Sequence, residues 1–138
     1  MTRRHLLLDT SVAVPLAFAG HAAHAATVQA LAGMTLGLAG HAAFETFSVL
    51  TRLPPPARRS PAAVSRLISA NFPESRFLSP QATGQLLRAL PELGIAGGSV
   101  YDALIAACAA EHDLVLLTRD QRAAETYRAV DAVVQLLA

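Results

Sequence analysis

Apolar positions in this chain fall into short unbroken runs separated by longer stretches with helical spacing. The run LLL at 6–8 reads as a buried strand. A helical stretch follows it, opened by Thr10 or Ser11, with Pro15 tolerated in its first turn. MTLGLAG (34–40) is a second short strand. AAFETFSVLTRL (42–53) has helical spacing, with Phe44, Phe47, Leu50 and Leu53 on one face. PPPARRSP (54–61) is a basic, proline-stiffened breaker. The pattern then predicts a helix over 62–72, a short strand RFLS at 76–79 and a helix over 81–91. GGS (97–99) turns into the strongest helix, 100–111. LVLLT (114–118) has the unbroken apolar character of a strand covered on both faces. A helix over 121–129 and a last strand, AVVQLL (132–137), complete the order. Strands alternating with helices predict an α/β fold: a mainly parallel sheet of about five short strands with helices on both sides. Nothing reads as a repeat, a linker or low complexity. At 138 residues the chain is expected to form one domain, 1–138, with a real core.

The N-terminus imitates a secretory signal: Arg3 and Arg4, an apolar stretch from Leu6 to Ala19, then small residues around HAAHAA. Asp9 inside the would-be apolar core and Pro15 in its second half count against that reading. No other stretch reads as a membrane span, because 25–44 is broken by Gly33, Gly37 and Gly40. The apolar fraction of 53% excludes a disordered chain, and the net charge of +1 advertises no nucleic-acid partner. All eleven basic residues are arginine. Arginine suits bidentate phosphate contact, although an Ala- and Arg-rich composition also follows from a GC-rich genome. The single cysteine, Cys108, has no internal disulfide partner and reads as a small core residue, which fits a reducing cytoplasm.

Asp9 raises the first chemical question, because a charge directly after a core strand costs free energy unless something pairs with it. The chain has ten acids, and four occupy related places. Asp9 ends the first strand. Glu45 lies in the first turns of the helix after the second. Asp102 lies in the first turn of helix 100–111, and Asp120 stands two residues past LVLLT. Strand C-termini and helix N-termini share one edge of a parallel sheet, where ligands bind. Four carboxylates on that edge suit Mg²⁺ or Mn²⁺, ions that activate water and stabilise the leaving oxygen in phosphodiester cleavage. Each acid also has a structural reading. Ser99 and Asp102 match a capping box, Asp120 a helix N-cap, and Glu45 a charge favouring the helix dipole. His21, His24 and His41 match no strong zinc spacing and read as surface or capping residues. Tyr101 reads as core rather than as a base-stacking platform.

LLLDTSV, FETFSVLTRL and SVYDALIAACAAEHDLVLLTRD, in that order, resemble the PIN-domain ribonucleases, specifically the VapC-type toxins of bacterial toxin–antitoxin pairs. The resemblance covers essentially the whole chain, and 99–120 is its most specific part: acid, alanine-rich helix, strand, then Thr-x-Asp. It implies a PIN-like three-layer α/β/α fold and Mg²⁺- or Mn²⁺-dependent endoribonuclease activity on structured RNA such as tRNA or rRNA. It also implies a cognate antitoxin that occludes the site, and a homodimer or toxin–antitoxin hetero-oligomer. By position Asp9, Glu45, Asp102 and Asp120 match the family's four acids, and Ser11 and Thr118 its supporting hydroxyls. On that reading Asp9 and Asp102 hold the metal, Glu45 and Asp120 complete the site, and Ser11 and Thr118 fix carboxylate rotamers. Arg119 and the pair Arg58–Arg59 are the candidates for RNA phosphate contact, against a plain reading as solvated charge. Many family members carry a further acid and an aromatic just after the fourth acid; Arg122 and Ala123 stand there instead.

Other sheet-edge chemistries fit less well. A phosphorelay receiver needs a lysine, and this chain has none. A haloacid-dehalogenase phosphatase needs Asp-x-Asp, whereas Thr10 and Ser11 follow Asp9. A Mg²⁺-dependent adhesion module needs Asp-x-Ser-x-Ser, which Ala13 breaks. The alternative from another class is a PIN-like module that binds RNA or an antitoxin with little turnover.

Overall fold

The first apolar run becomes the centre of the sheet. In the computed structural model, which describes residues 3–138, β1 (His5–Leu8) pairs in parallel with β2 (Thr35–Leu38) on one side and β3 (Val115–Thr118) on the other. β4 (Val134–Leu136) adds in parallel to β3, giving the order β2-β1-β3-β4. Leu6, Leu7 and Leu8 are all buried. Successive strand residues face opposite ways, so Leu7 packs with Ile105, Ala106, Cys108 and Tyr127, while Leu6 and Leu8 pack with Val12, Leu31, Leu38 and Phe72. Two apolar layers, one on each face, are what makes an unbroken apolar run stable as a strand.

The helices are α1 (Thr10–Ala17), α2 (His24–Leu31), α3 (His41–Thr51), α4 (Pro61–Asn71), α5 (Pro80–Leu93), α6 (Ser99–Glu111) and α7 (Gln121–Ala129). Serine followed by proline starts two of them. Ser60 and Ser79 each accept a hydrogen bond from a first-turn N–H (Ala63 and Ala82), and the proline after each needs no partner for the N–H it lacks. This sets both starts one residue ahead of the periodicity. Gly94, in the left-handed region at φ 68°, ends α5.

Three expectations are corrected. The helical stretch after β1 is two helices, α1 and α2, separated by a turn around Gly20. The face of α3 turned to the core carries Ala42, Thr46 and Leu50, whereas Phe44 is 67% exposed. Small residues face inward there because α3 packs closely against α1, α4 and α6. Finally, among the described residues the sheet has four strands. The expected strand at 76–79 is instead an irregular segment, 74–76, that lies along the open edge of β2. Glu74 N–H donates to Leu36 O (3.1 Å), Arg76 N–H to Leu38 O (3.1 Å) and Gly40 N–H to Arg76 O (2.8 Å). Only Ala39 and Arg76 form a bridge. Gly37 permits this approach, since a Cβ there would run into the carbonyl of Glu74. Among the described residues no helix is long and apolar enough to cross a membrane.

Candidate active site

Asp9 leaves β1 at its C-terminal end and is 3% exposed. Its backbone starts α1, but its side chain caps nothing. It accepts three hydroxyl hydrogen bonds instead: Ser11 Oγ donates to Oδ1 (2.6 Å), and Thr118 Oγ1 (2.5 Å) and Tyr127 Oη (2.8 Å) donate to Oδ2. Bonds to a charged acceptor are the strong kind and offset the cost of its burial. Each hydroxyl is itself oriented or sequestered. Ser11 Oγ accepts from Arg119 N–H (2.8 Å), and Thr118 Oγ1 accepts from Asp120 N–H (3.0 Å). Tyr127 is buried, and burial together with the nearby charge of Asp9 pushes its pKa up, so its proton stays on the phenol. With two bonds on Oδ2 and one on Oδ1, one lone pair of Oδ1 remains free.

Asp102 sits in the first turn of α6. The helix is capped at Gly98 by backbone alone, with Ser99 already inside it; the expected Ser99–Asp102 capping box does not form. Burial pushes the Asp102 carboxyl above its ordinary range, and the charges of Glu45, Asp120 and Asp9 push it further in the same direction. Asp102 is thus the group on which the other three acids act. Glu45, in the second turn of α3, accepts from Thr10 Oγ1 (3.3 Å) on Oε2 and faces His41 Nε2 at 3.4 Å with Oε1. Asp120 does cap α7: Oδ1 accepts from the N–H groups of Arg122 (3.0 Å) and Ala123 (3.2 Å). Capping uses one oxygen and leaves Oδ2 for other work. Asp102 and Asp120, with Ser99, Arg122 and Thr126, border an open depression of about 380 Å³.

The arrangement has the donor chemistry for a hard divalent cation: carboxylate and hydroxyl oxygens, without a thiolate. Among the described residues no three acidic, imidazole or thiol groups form a ready-made cage. Asp9 Oδ1, held in place with a free lone pair, and Asp102, electrostatically strained, are the two groups such an ion would relieve.

The remaining candidates divide. Arg119 donates its backbone N–H to Ser11 at the site, and its Nη1 is buried without a protein partner. Arg58 and Arg59 are exposed at the other end of α3, where Arg59 N–H reaches Leu50 O (3.5 Å) and Arg58 Nε binds Leu53 O (2.9 Å). They are not brought to the acidic edge. His21 accepts from Ala23 N–H and His24 bonds Pro15 O. Cys108 is buried, donates to Arg76 O and has its thiol pushed up to about 12 by burial. Tyr101, expected in the core, is 52% exposed, with its ring stacked on His41. The residue missed outright is Tyr127. A tyrosine two turns along the helix that follows Asp120, on the face of Ala123 and Ala124, was the available signal.

A PIN domain model matches residues 6–129. Ribonuclease VapC27 of Mycobacterium tuberculosis is 48% identical over 125 residues, 91% of each chain. Ribonuclease VapC40 of the same organism is 43% identical over 131 residues, 94% of this chain and 96% of that one. In solved structures the fold recurs in VapBC2 from Rickettsia felis bound to a promoter DNA fragment (TM-score 0.68, 18% identity, 97% and 99% of the two chains). It recurs again in VapC20 of M. tuberculosis, a sarcin–ricin-loop-cleaving toxin (TM-score 0.65, 20% identity, 87% and 93%).

Proposed function

The chain belongs to the PIN-domain family of VapC-type ribonucleases, and from that premise we propose that it is a metal-dependent endoribonuclease, the toxin of a toxin–antitoxin pair, with residues 1–138 acting as one domain. The observation that carries the reading is Asp102: half-buried, with no capping bond, and raised in pKa first by that burial and then by the charges of Glu45, Asp120 and Asp9. A structural role does not require a half-buried acid to be held near three others. Catalytic sites hold such arrangements because the charge is neutralised only in the working complex.

Asp9 and Asp102 would hold Mg²⁺ or Mn²⁺. The ion would supply charge to activate water and to stabilise the leaving oxygen in phosphodiester hydrolysis. The protein's own groups do the rest. Ser11, Thr118 and Tyr127 fix the Asp9 rotamer, so Oδ1 is presented in one orientation. Glu45 and the free oxygen of Asp120 are the groups that would orient a water and accept its proton. Arg119 at the same edge is the candidate for RNA phosphate contact. The substrate class is structured cellular RNA, tRNA or rRNA, so that cleavage inhibits translation in the cytoplasm. The partner is a cognate antitoxin protein that covers the acidic edge, in a homodimer or toxin–antitoxin hetero-oligomer.

Purified Asp9→Asn and Asp102→Asn proteins, with folding checked by circular dichroism, test the site. Both should lose Mg²⁺- or Mn²⁺-supported cleavage of total RNA. A folded variant that cuts at the wild-type rate means that the acids are misassigned. Mapping new RNA 5′ ends after brief expression then identifies the target.

A further inference from the structure

Tyr101 and His41 form an aromatic platform that the nuclease reading does not use. Their ring centroids are 4.9 Å apart with an interplanar angle of 19°, an offset stack. Tyr101 is 52% exposed, so with one face covered by His41 the other meets solvent. The platform is built from two different elements, the starts of α3 and α6, and both bring an acid with them. Tyr101 precedes Asp102 in the chain, and His41 Nε2 lies 3.4 Å from Glu45 Oε1. The stack therefore flanks the two carboxylates at the helix starts.

We propose that this stack is a nucleobase-binding subsite, on which one unpaired base of the RNA substrate lies against Tyr101 beside the acidic edge. The proposal rests on the ribonuclease reading and adds how the substrate is held. The physical need is clear. Without a bound cation, four carboxylates repel the phosphates of any RNA that approaches them, so stacked bases add affinity close to the edge that phosphate contacts alone supply poorly. Unpaired bases stack on aromatic rings with little regard to sequence. His41 backs the tyrosine ring and limits its rotamers, which lowers the entropy cost of stacking. A base seated there sets the register of the backbone relative to Asp102.

The experiment separates binding from cleavage. In an Asp102→Asn background with EDTA, where no RNA is cut, the probe is a single-stranded oligoadenylate carrying 2-aminopurine. Its quenching reports stacking, and its titration reports affinity. The protein with Tyr101 should quench the probe. Tyr101→Ala should abolish the quenching and weaken binding about five- to hundred-fold, while Tyr101→Trp should restore both. Tyr101 is exposed, so these variants should keep the parent's circular dichroism spectrum, which is recorded for each. Equal binding and quenching by Tyr101 and Tyr101→Ala overturns the subsite. So does a Tyr101→Ala protein that binds RNA normally but loses a co-expressed protein partner, since the platform then serves the partner. The nuclease assignment is read separately, as metal-supported cleavage by the Tyr101 protein with Asp102 intact, and can fail without touching this result.

Discussion

The phenolic oxygen of Tyr127 lies 2.8 Å from Asp9 Oδ2, joining the end of the first strand to the last helix across 118 residues. Thr118 binds the same oxygen. A single carboxylate oxygen thus ties α7 and β3 to the central strand, and the catalytic candidate is also a structural tie.

Tyr127→Phe keeps the ring and removes one donor to a buried charge. The loss should cost roughly 1.5–3 kcal/mol of stability. Because partners of a ligating carboxylate fix its orientation, Mn²⁺ affinity should fall about ten- to hundred-fold. Chemical denaturation and Mn²⁺ titration of the same sample check the two effects. Loss of stability with unchanged Mn²⁺ affinity would mean that Tyr127 supports the fold only.

Asp102→Asn should be at least as heat-stable as wild type in EDTA at neutral pH. The side chain makes no cap, so the substitution forfeits only a favourable charge in the first turn, about 0.3–1 kcal/mol. It gains relief from burial and from three like charges. The pH dependence has a defined sign. The folded carboxyl titrates above its ordinary value of 3.8, so the folded state binds more protons in the window just above that value. This group's contribution to stability therefore falls as pH rises through the window, and the variant lacks that fall. Mg²⁺ or Mn²⁺ should raise the melting temperature of wild type much more than that of the variant. Melting curves at pH 4 to 7, with and without metal, decide it.

Gly37→Ala should be costly although alanine suits a strand better. Its Cβ would meet the Glu74 carbonyl, and relief requires the 74–76 segment to leave the β2 edge. A penalty of roughly 1–3 kcal/mol is expected, as for overpacking elsewhere. Amide exchange should quicken at Glu74 and Arg76. Unchanged protection at both amides would show that the edge segment tolerates the methyl group.

A co-purified antitoxin should shield the acidic edge. A guanidinium laid across it would take the place of the metal's charge, with bidentate bonds to the carboxylates. Mn²⁺ titration of the saturated complex should then show at least a tenfold weaker site than the free protein. Equal affinity in both samples rules out this mode of inhibition.

Much of this protein is legible in local pattern. Leucines 6–8, the LVLLT run and the Ser-Pro helix starts are read from a few neighbouring residues, because strand burial and capping depend on nearest neighbours along the chain. The edge that the four acids share is legible for a related reason: in a parallel sheet the C-terminal ends of the strands, and the starts of the helices that directly follow them, fall on one edge. Three features depend on contacts between distant segments. The inward face of α3 was decided by close helix packing, which admits Ala42 and Thr46 and turns Phe44 out. The fifth strand is not formed because residues 74–76 meet the β2 edge as an irregular segment with a single bridge, Ala39–Arg76, an approach that Gly37 makes possible. The two tyrosines were misread or missed because a tyrosine suits a core and a surface equally well. Local sequence carries no information on what its hydroxyl or ring will meet. Only the folded chain placed Tyr127 beneath Asp9 and left Tyr101 outside, stacked on His41.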